Sequence, residues 1–352
     1  MLASVIRSFF AVVIVLALTI AATVEAPVRA SGYHVEEGRP PVLIMEHENR
    51  QWALPLKEIG FDGIDPTTLD RDQWMDWISL TVESVVNRPP VSARFVNRKP
   101  VPHQDGVMVD RDELELWPDR IHDVMGRPVH LPVKRIEPAL TLDRLIRLKE
   151  KRLATYTTWY NPRNVNRAHN IRLSVASIDH KVVMPGEIFS FNQTVGVRTP
   201  ARGYRPARII VKGEYSEGVG GGICQTSSTL YNCVDKAGLK IVQRVSHSRK
   251  VGYVPSGRDA TVSWGGPDFR FQNQLDEPVL IVASANGGRL SISVYAPRST
   301  KHMPRHVPQA PGKYAADEEE AVPDKKPSKK PVKHTKDKPL KKANIGNRRQ
   351  ES

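Results

Sequence analysis

The chain has 352 residues, 39% of them hydrophobic, and a formal net charge of +14. That length can bury more than one core of domain size, which excludes a peptide-like or wholly disordered molecule. Beyond residue 300, 14 Lys and Arg face 7 Asp and Glu, so half of the charge excess belongs to the C-terminal segment rather than to the folded part.

The first element in chain order is an uncharged run, Phe9–Val24. Its 16 residues would reach roughly 24 Å as a helix, short of the ~30 Å of a hydrocarbon core. Val28-Arg29-Ala30 follows, with the small and branched residues that signal peptidase accepts. Residues 1–30 are therefore expected to be a signal peptide or a membrane anchor. Both leave the remainder extracytoplasmic, secreted or anchored, and remove nucleic acid as a partner.

Residues 41–140 read as a small mixed region. A helix is expected from Trp74 through Val86, closed by Asn87 and Pro89-Pro90, with strands over Val91–Val96 and Val129–Val133 and a short capped helix over Asp110–Trp117. Residues 141–155 (TLDRLIRLKEKRLAT) read as a helical linker, with Asp143 near its start and a cationic end suited to the helix dipole. In residues 156–297, Asn166 is expected to cap a helix running to about His180, with Ala168, Ile171, Val175 and Ile178 on one face. Strands are expected over Ile188–Phe191, Leu239–Val245, Ala260–Trp264, Pro278–Ser284 and Arg289–Tyr295, the last two joined at Gly287-Gly288. Helices early and strands late give an α+β fold with an antiparallel sheet, behind the small mixed N-terminal domain. Residues 298–352, rich in Lys and Pro, have little to bury and are expected to be a disordered basic tail. Its charge suits anionic wall polymers or a membrane surface.

The most unusual stretch is Gly218–Asn232, GVGGGICQTSSTLYN. Glycines at 220, 221 and 222 permit positive φ and close approach, and the residues after them can form a helix that stops near Gly238. Such a loop aims backbone N–H groups at one point where negative charge is favoured. Cys224 falls at the helix start, where a thiolate is stabilised and becomes nucleophilic. Downstream come His247 and then Asp259, the chain order of papain-like and transglutaminase-like enzymes. There His takes the thiol proton and a carboxylate orients the ring; Asn273 is a second candidate for that third role. Gly220, Gly221, Gly222, Gln225 and Arg258 are the candidate anion or substrate contacts, with Arg202 and Arg205 nearby in sequence. Ser227, Ser228 and Thr229 read as first-turn caps. No cofactor or metal is expected. The glycines lack the Lys-Ser/Thr of a nucleotide loop, and Cys224 and Cys233 would lie about 13 Å apart on one helix, too far for a disulfide or a shared zinc. Cys233 reads as a packing residue in mid-helix.

The blocks PGEIFSFNQTVG, RGYRPARII, GGGICQTSSTLYN, RVSHS and YVPSGRDATV resemble the signature blocks of the VanW family, over about 140 residues. One departure is Lys250, where members commonly have His-Ser-x-Pro; it is expected to alter a loop. His180 lies outside the blocks and reads as a surface or core residue. The succession of elements over 41–140 resembles the peptidoglycan-binding-like domain that precedes VanW domains, by pattern alone. The resemblance implies a cell-envelope protein tied by name to vancomycin resistance, with peptidoglycan or its precursors as partner. Three functions stay open: a cysteine-dependent peptidoglycan hydrolase or transpeptidase, a non-catalytic peptidoglycan- or anion-binding module, and a scaffold for wall enzymes.

Overall fold

The computed structural model describes residues 41–211 and 214–312. The expected signal or anchor segment 1–30 and the Lys/Pro-rich stretch from 313 onward lie outside the described residues. Among the described residues, no helix is long and apolar enough to cross a membrane. Residues 41–91 with 104–138 form one compact unit, and residues 92–103 with 139–312 form another.

In the first unit, β1 (Val42–His47) and β2 (Arg50–Pro55) make an antiparallel hairpin. The helical stretch that follows is α1 (Arg71–Trp77), a π-helical turn over Ile78–Glu83, and α2 (Ser84–Val86). The sequence reading expected one regular helix here. Its buried residues are Trp74, Ile78, Val82 and Val86, each four apart. On an α-helix four residues advance about 400°, so such a stripe drifts by roughly 40° per step; the wider π turn takes up that drift and keeps the stripe on the core. β3 (Arg94–Val96) and β4 (Lys99–Val101) form a hairpin that belongs to the second unit. The first unit is completed by β5 (Gly106–Val109), α3 (Arg111–Leu114, capped by Asp110), α4 (Ile121–Val124), β6 (Pro128–His130) and β7 (Val133–Ile136). β6 runs parallel to β1, and β5 pairs with β7.

The second unit starts with α5 (Leu142–Arg147), capped by the Thr141 hydroxyl. The expected helical linker 141–155 ends there, because β8 (Lys151–Trp159) is already a strand of the domain. The cationic composition of 149–152 looked like a helix terminus; pairing of β8 along the whole of a distant strand decides otherwise. Next come α6 (Val165–Ile178), β9 (Lys181–Val183), β10 (Ile188–Ser190) and α7 (Phe191–Val195). The cap of α6 is Asn164, not Asn166, which instead donates to the Pro206 carbonyl at 3.0 Å. His180 lies just past the helix at φ 60, its side chain almost covered.

The chain continues through the hairpin β11 (Pro206–Val211) and β12 (Glu214–Val219), which the sequence reading did not anticipate, into α8 (Ile223–Lys236). β13 (Lys240–Gln243), β14 (Arg270–Gln272), β15 (Val279–Asn286) and β16 (Arg289–Ala296) follow. The main sheet has the order β8-β16-β15-β9, every pair antiparallel, and the smaller one β10-β14-β13. This is the expected mixed α+β fold. On one face α6 and α8 pack against β15, β8 and β16. Leu280, between core residues Val279 and Ile281, turns to the opposite face, where Ala93, Leu140, Leu145 and Leu148 cover it.

Residues 298–312 correct the expected boundary of the tail. Val307 is buried, the Tyr156 hydroxyl donates to the Pro308 carbonyl at 2.9 Å, and Arg305 pairs with Asp235 at 2.9 Å. Lysine and proline content hid these anchors, which are single residues.

Candidate active site

Helix α8 is nearly all buried although half of its residues are polar, so each polar group needs a partner. The partners fall on two rails. On one flank, residues four apart reach β8 and its neighbour. Gln225 donates to the Trp159 carbonyl at 2.7 Å, Thr229 shares a 2.8 Å hydroxyl bond with Thr158, and the Cys233 thiol donates to the Ile292 carbonyl at 3.1 Å. On the other flank, Cys224, Ser228 and Asn232 face the segment 258–262. The Cys224 thiol donates to the Val262 carbonyl at 3.5 Å, the Ser228 hydroxyl accepts from the Ala260 N–H at 2.9 Å, and the Asn232 amide donates to the Arg258 carbonyl at 2.7 Å. Ser227 adds a 2.6 Å bond to the Ala260 carbonyl.

The two repeats match in length. Four helical residues rise about 6.0 Å, and two residues of near-extended chain span about 6.8 Å. Residues 258, 260 and 262 therefore fall into step with 232, 228 and 224, and the intervening residues 259 and 261 face away from the helix. There Thr261 N–H meets the Val245 carbonyl at 2.7 Å, and Asp259 meets His247. The expected strand over 260–264 is thus no strand, being held by helix side chains in place of a β partner. Ser227, Ser228 and Thr229 are tethers rather than caps.

One carboxylate oxygen of Asp259 accepts both the His247 backbone N–H and the ring Nδ1–H, each at 2.6 Å. That fixes the ring from two directions and leaves Nε2 as the nitrogen available to sulfur. Burial works against charge on His247, but hydrogen bonds to Asp259 and Cys224 and the negative charge of both carry its pKa up to about 9. Burial of Asp259 is likewise outweighed by its bonds to His247, which hold the carboxyl below its ordinary value.

The helix begins without a side-chain cap: Gly222, at φ 104, is the N-cap. A Cβ there would lie 2.8 Å from Arg167 Cγ, and one on Gly221 would lie 2.5 Å from the Arg208 carbonyl. The glycines thus let the loop pass against its neighbours while the first turn faces a cleft. Gly220, Gly221, Gly222, Cys224, Gln225 and His247 all line that cleft, whose volume is about 780 Å³. Cys224 is half-buried.

Three expected contacts lie elsewhere. Arg258 is occupied by Asn232 and by Asp235 at 2.7 Å and stacks over Tyr231, on the far part of α8; Arg202 and Arg205 do not line the cleft. Asn273 is buried, its amide bound to the Val183 and Glu277 carbonyls and to Leu275 N–H. Gln225 is in the wall, but its oxygen accepts from Arg167 at 2.7 Å, so it positions an arginine. Lys250 is on an exposed loop.

The cleft also contains residues that the sequence reading missed. Arg167, Arg198 and Arg208 line it, with no carboxylate in its walls among the described residues, and Tyr253 and Trp264 contribute aromatic surface. The Tyr253 phenol, raised by burial and then by the charge of Cys224, stays protonated and bonds to Ser228. Arg198 stands in Val197-Arg198-Thr199, where no spacing or motif distinguishes it from other surface arginines.

Residues 166–295 match the family model described as VanW like protein, a range that contains Cys224, His247 and Asp259. Over 185 residues the chain is 54% identical to the protein YoaR of Bacillus subtilis (strain 168), covering 53% of this chain and 61% of that one. Over 143 residues it is 28% identical to the Vancomycin B-type resistance protein VanW of Enterococcus faecalis (strain ATCC 700802 / V583), covering 39% of this chain and 52% of that one. The chain thus spans between about half and three-fifths of the length of these curated relatives. No solved structure matches it. Through the domain at residues 166–295, the chain is thus similar to proteins of the VanW family.

Proposed function

We propose that this protein is an extracytoplasmic cysteine enzyme of acyl transfer that acts on the peptide part of peptidoglycan or its precursors. The observation that carries the reading is the convergence at one cleft of a half-buried sulfur at a helix start and an imidazole oriented by a carboxylate. In the proposed reaction the Cys224 thiolate attacks an amide carbonyl, and the Cys224 backbone N–H at the head of α8 donates to the developing oxyanion. The C–N bond breaks, the leaving amine takes its proton from His247, and a thioester remains. Water, or an amine in the transpeptidase version, then gives a proton to His247 and attacks the thioester. The product acid or new amide leaves, and the sulfur is free again.

The wall as substrate is supported by the expected export segment at residues 1–30 and by the resemblance of the front region to peptidoglycan-binding-like modules. The name of the Enterococcus relative, a vancomycin-resistance protein, points the same way. In this proposal the basic stretch from 313 onward holds the protein to anionic wall polymers or a membrane surface.

The test is to incubate the protein and its Cys224→Ala variant with purified peptidoglycan and with soluble muropeptides, then to read the peptide bonds by mass spectrometry. Bonds cut or exchanged by the native protein alone are the expected result. Binding by both proteins with no bond changed would instead support a non-catalytic binding module.

A further inference from the structure

Two side chains that line the same cleft as Cys224 carry buried polar atoms without a partner among the described residues. Arg198 donates through one guanidinium nitrogen to Asn192 at 2.8 Å, while its other terminal nitrogen, Nη1, is buried without a hydrogen-bond partner among the described residues. The Thr261 hydroxyl, two residues beyond Asp259, is buried and unpartnered in the same way. Both residues line the cleft. Arg198 is close enough to Cys224 for the two charges to interact, and burial presses the guanidinium below its ordinary value while Tyr204, Cys224 and Asp268 press it back.

A buried donor left unbonded costs about 1–3 kcal/mol, and more when charged, so native proteins keep such groups for a ligand or a water. The chemistry asked for is specific. A guanidinium N–H and a hydroxyl, in a wall with two further arginines and no acid among the described residues, are suited to a carboxylate and ill suited to an amine or a neutral amide.

We infer that Arg198 and Thr261 form a carboxylate subsite, so that the substrate of the Cys224 centre is an acidic peptide with a free, unamidated carboxylate next to the amide that reacts. This rests on the reading of Cys224 as a nucleophile, and it names the substrate class of that site. A neutral or amidated peptide would leave the guanidinium unpaired and be selected against.

The experiment compares two alkylating reagents of nearly equal shape, iodoacetate and iodoacetamide, on the full chain at neutral pH. Labelling of Cys224 is followed by peptide mass spectrometry. The expected result is a rate ratio favouring iodoacetate that falls about tenfold in Arg198→Gln, falls less in Thr261→Val, and returns in part in Arg198→Lys. Since Arg198 also braces Asn192, the folded native protein supplies a second reading: glutarate should protect Cys224 from iodoacetamide, and neutral glutaramide should not. Rapid labelling by both reagents, with a ratio indifferent to Arg198 or equal protection by the two additives, overturns the carboxylate subsite and leaves the nucleophile standing. Labelling by both reagents no faster than a free thiol such as glutathione overturns the nucleophile, and the subsite with it.

Discussion

The two cysteines of α8 occupy one helix and meet opposite conditions. Cys233, in the middle, is wholly buried between β8 and β16; burial pushes its thiol up to about 12, and its sulfur does no more than donate to a strand carbonyl. Cys224, nine residues earlier, sits in the first turn and lines a cleft that the His247 imidazole also lines. Both belong to i, i+4, i+8 series, but one series faces a sheet and the other a loop. The sheet returns carbonyls, apolar surface and the Thr158 hydroxyl. The loop at 258–262 puts alternate residues out to the far side and so delivers Asp259 to His247. In the proposed reading, reactivity on this helix follows from what each flank faces and not from the residue type.

The sharpest way to break that comparison is to delete each sulfur. Cys224→Ala should abolish alkylation of the native fold and reduce turnover by at least about 10³-fold, with the melting temperature nearly unchanged. Cys233→Ala should do the reverse: a loss of about 1–2 kcal/mol in a denaturant titration, from a small void and a lost weak hydrogen bond, with the labelling rate at Cys224 preserved. If Cys233→Ala slowed labelling as much as it destabilised, the two flanks would not be independent. Next in size is His247→Ala, expected to lower turnover roughly 10²–10⁴-fold. Asn232→Ala tests the rail itself. It removes the bonds to the Arg258 carbonyl and guanidinium, and should cost about 1–3 kcal/mol. It should also shift the pH profile of Cys224 labelling, because the segment carrying Asp259 loses one tether. A loss of stability with an unmoved profile would mean that Ser228 and Ala260 alone set the register.

How much of this was legible depended on whether the determinant was local. The glycine run, the helix after it and the sulfur at its head are written in consecutive residues, and the order Cys224, His247, Asp259 in their types. The hairpin β15–β16 was readable because alternation and Gly287-Gly288 sit side by side. β8 was misread because its strand character comes from β16, more than 130 residues away, while its own Lys and Arg suit a helix end. The segment 260–264 imitates a strand by its branched residues, yet its partners on α8 are the Ser227 and Ser228 hydroxyls and the Cys224 thiol. Arg198 could not be found at all: what marks it is a buried nitrogen without a partner, and that exists only once the cleft is folded. Arg258 misled for the matching reason, because Asp235 and Asn232, which occupy it, are 23 and 26 residues away.

A pH titration of stability tests the Cys224 side of that comparison by itself. His247 has its pKa raised to about 9 in the folded protein from an ordinary value near 6.5. The folded state therefore binds the proton more tightly than the unfolded chain does. The stability this supplies is present in full below about pH 6.5 and is lost as pH rises through about 9. Denaturant midpoints should decline between those limits for the native protein and stay flat over the same range in His247→Asn. Cys224→Ala should keep part of the slope, since Asp259 still holds the ring from the other side. A native midpoint that rose with pH in that window would mean that burial of the imidazole outweighs its two partners.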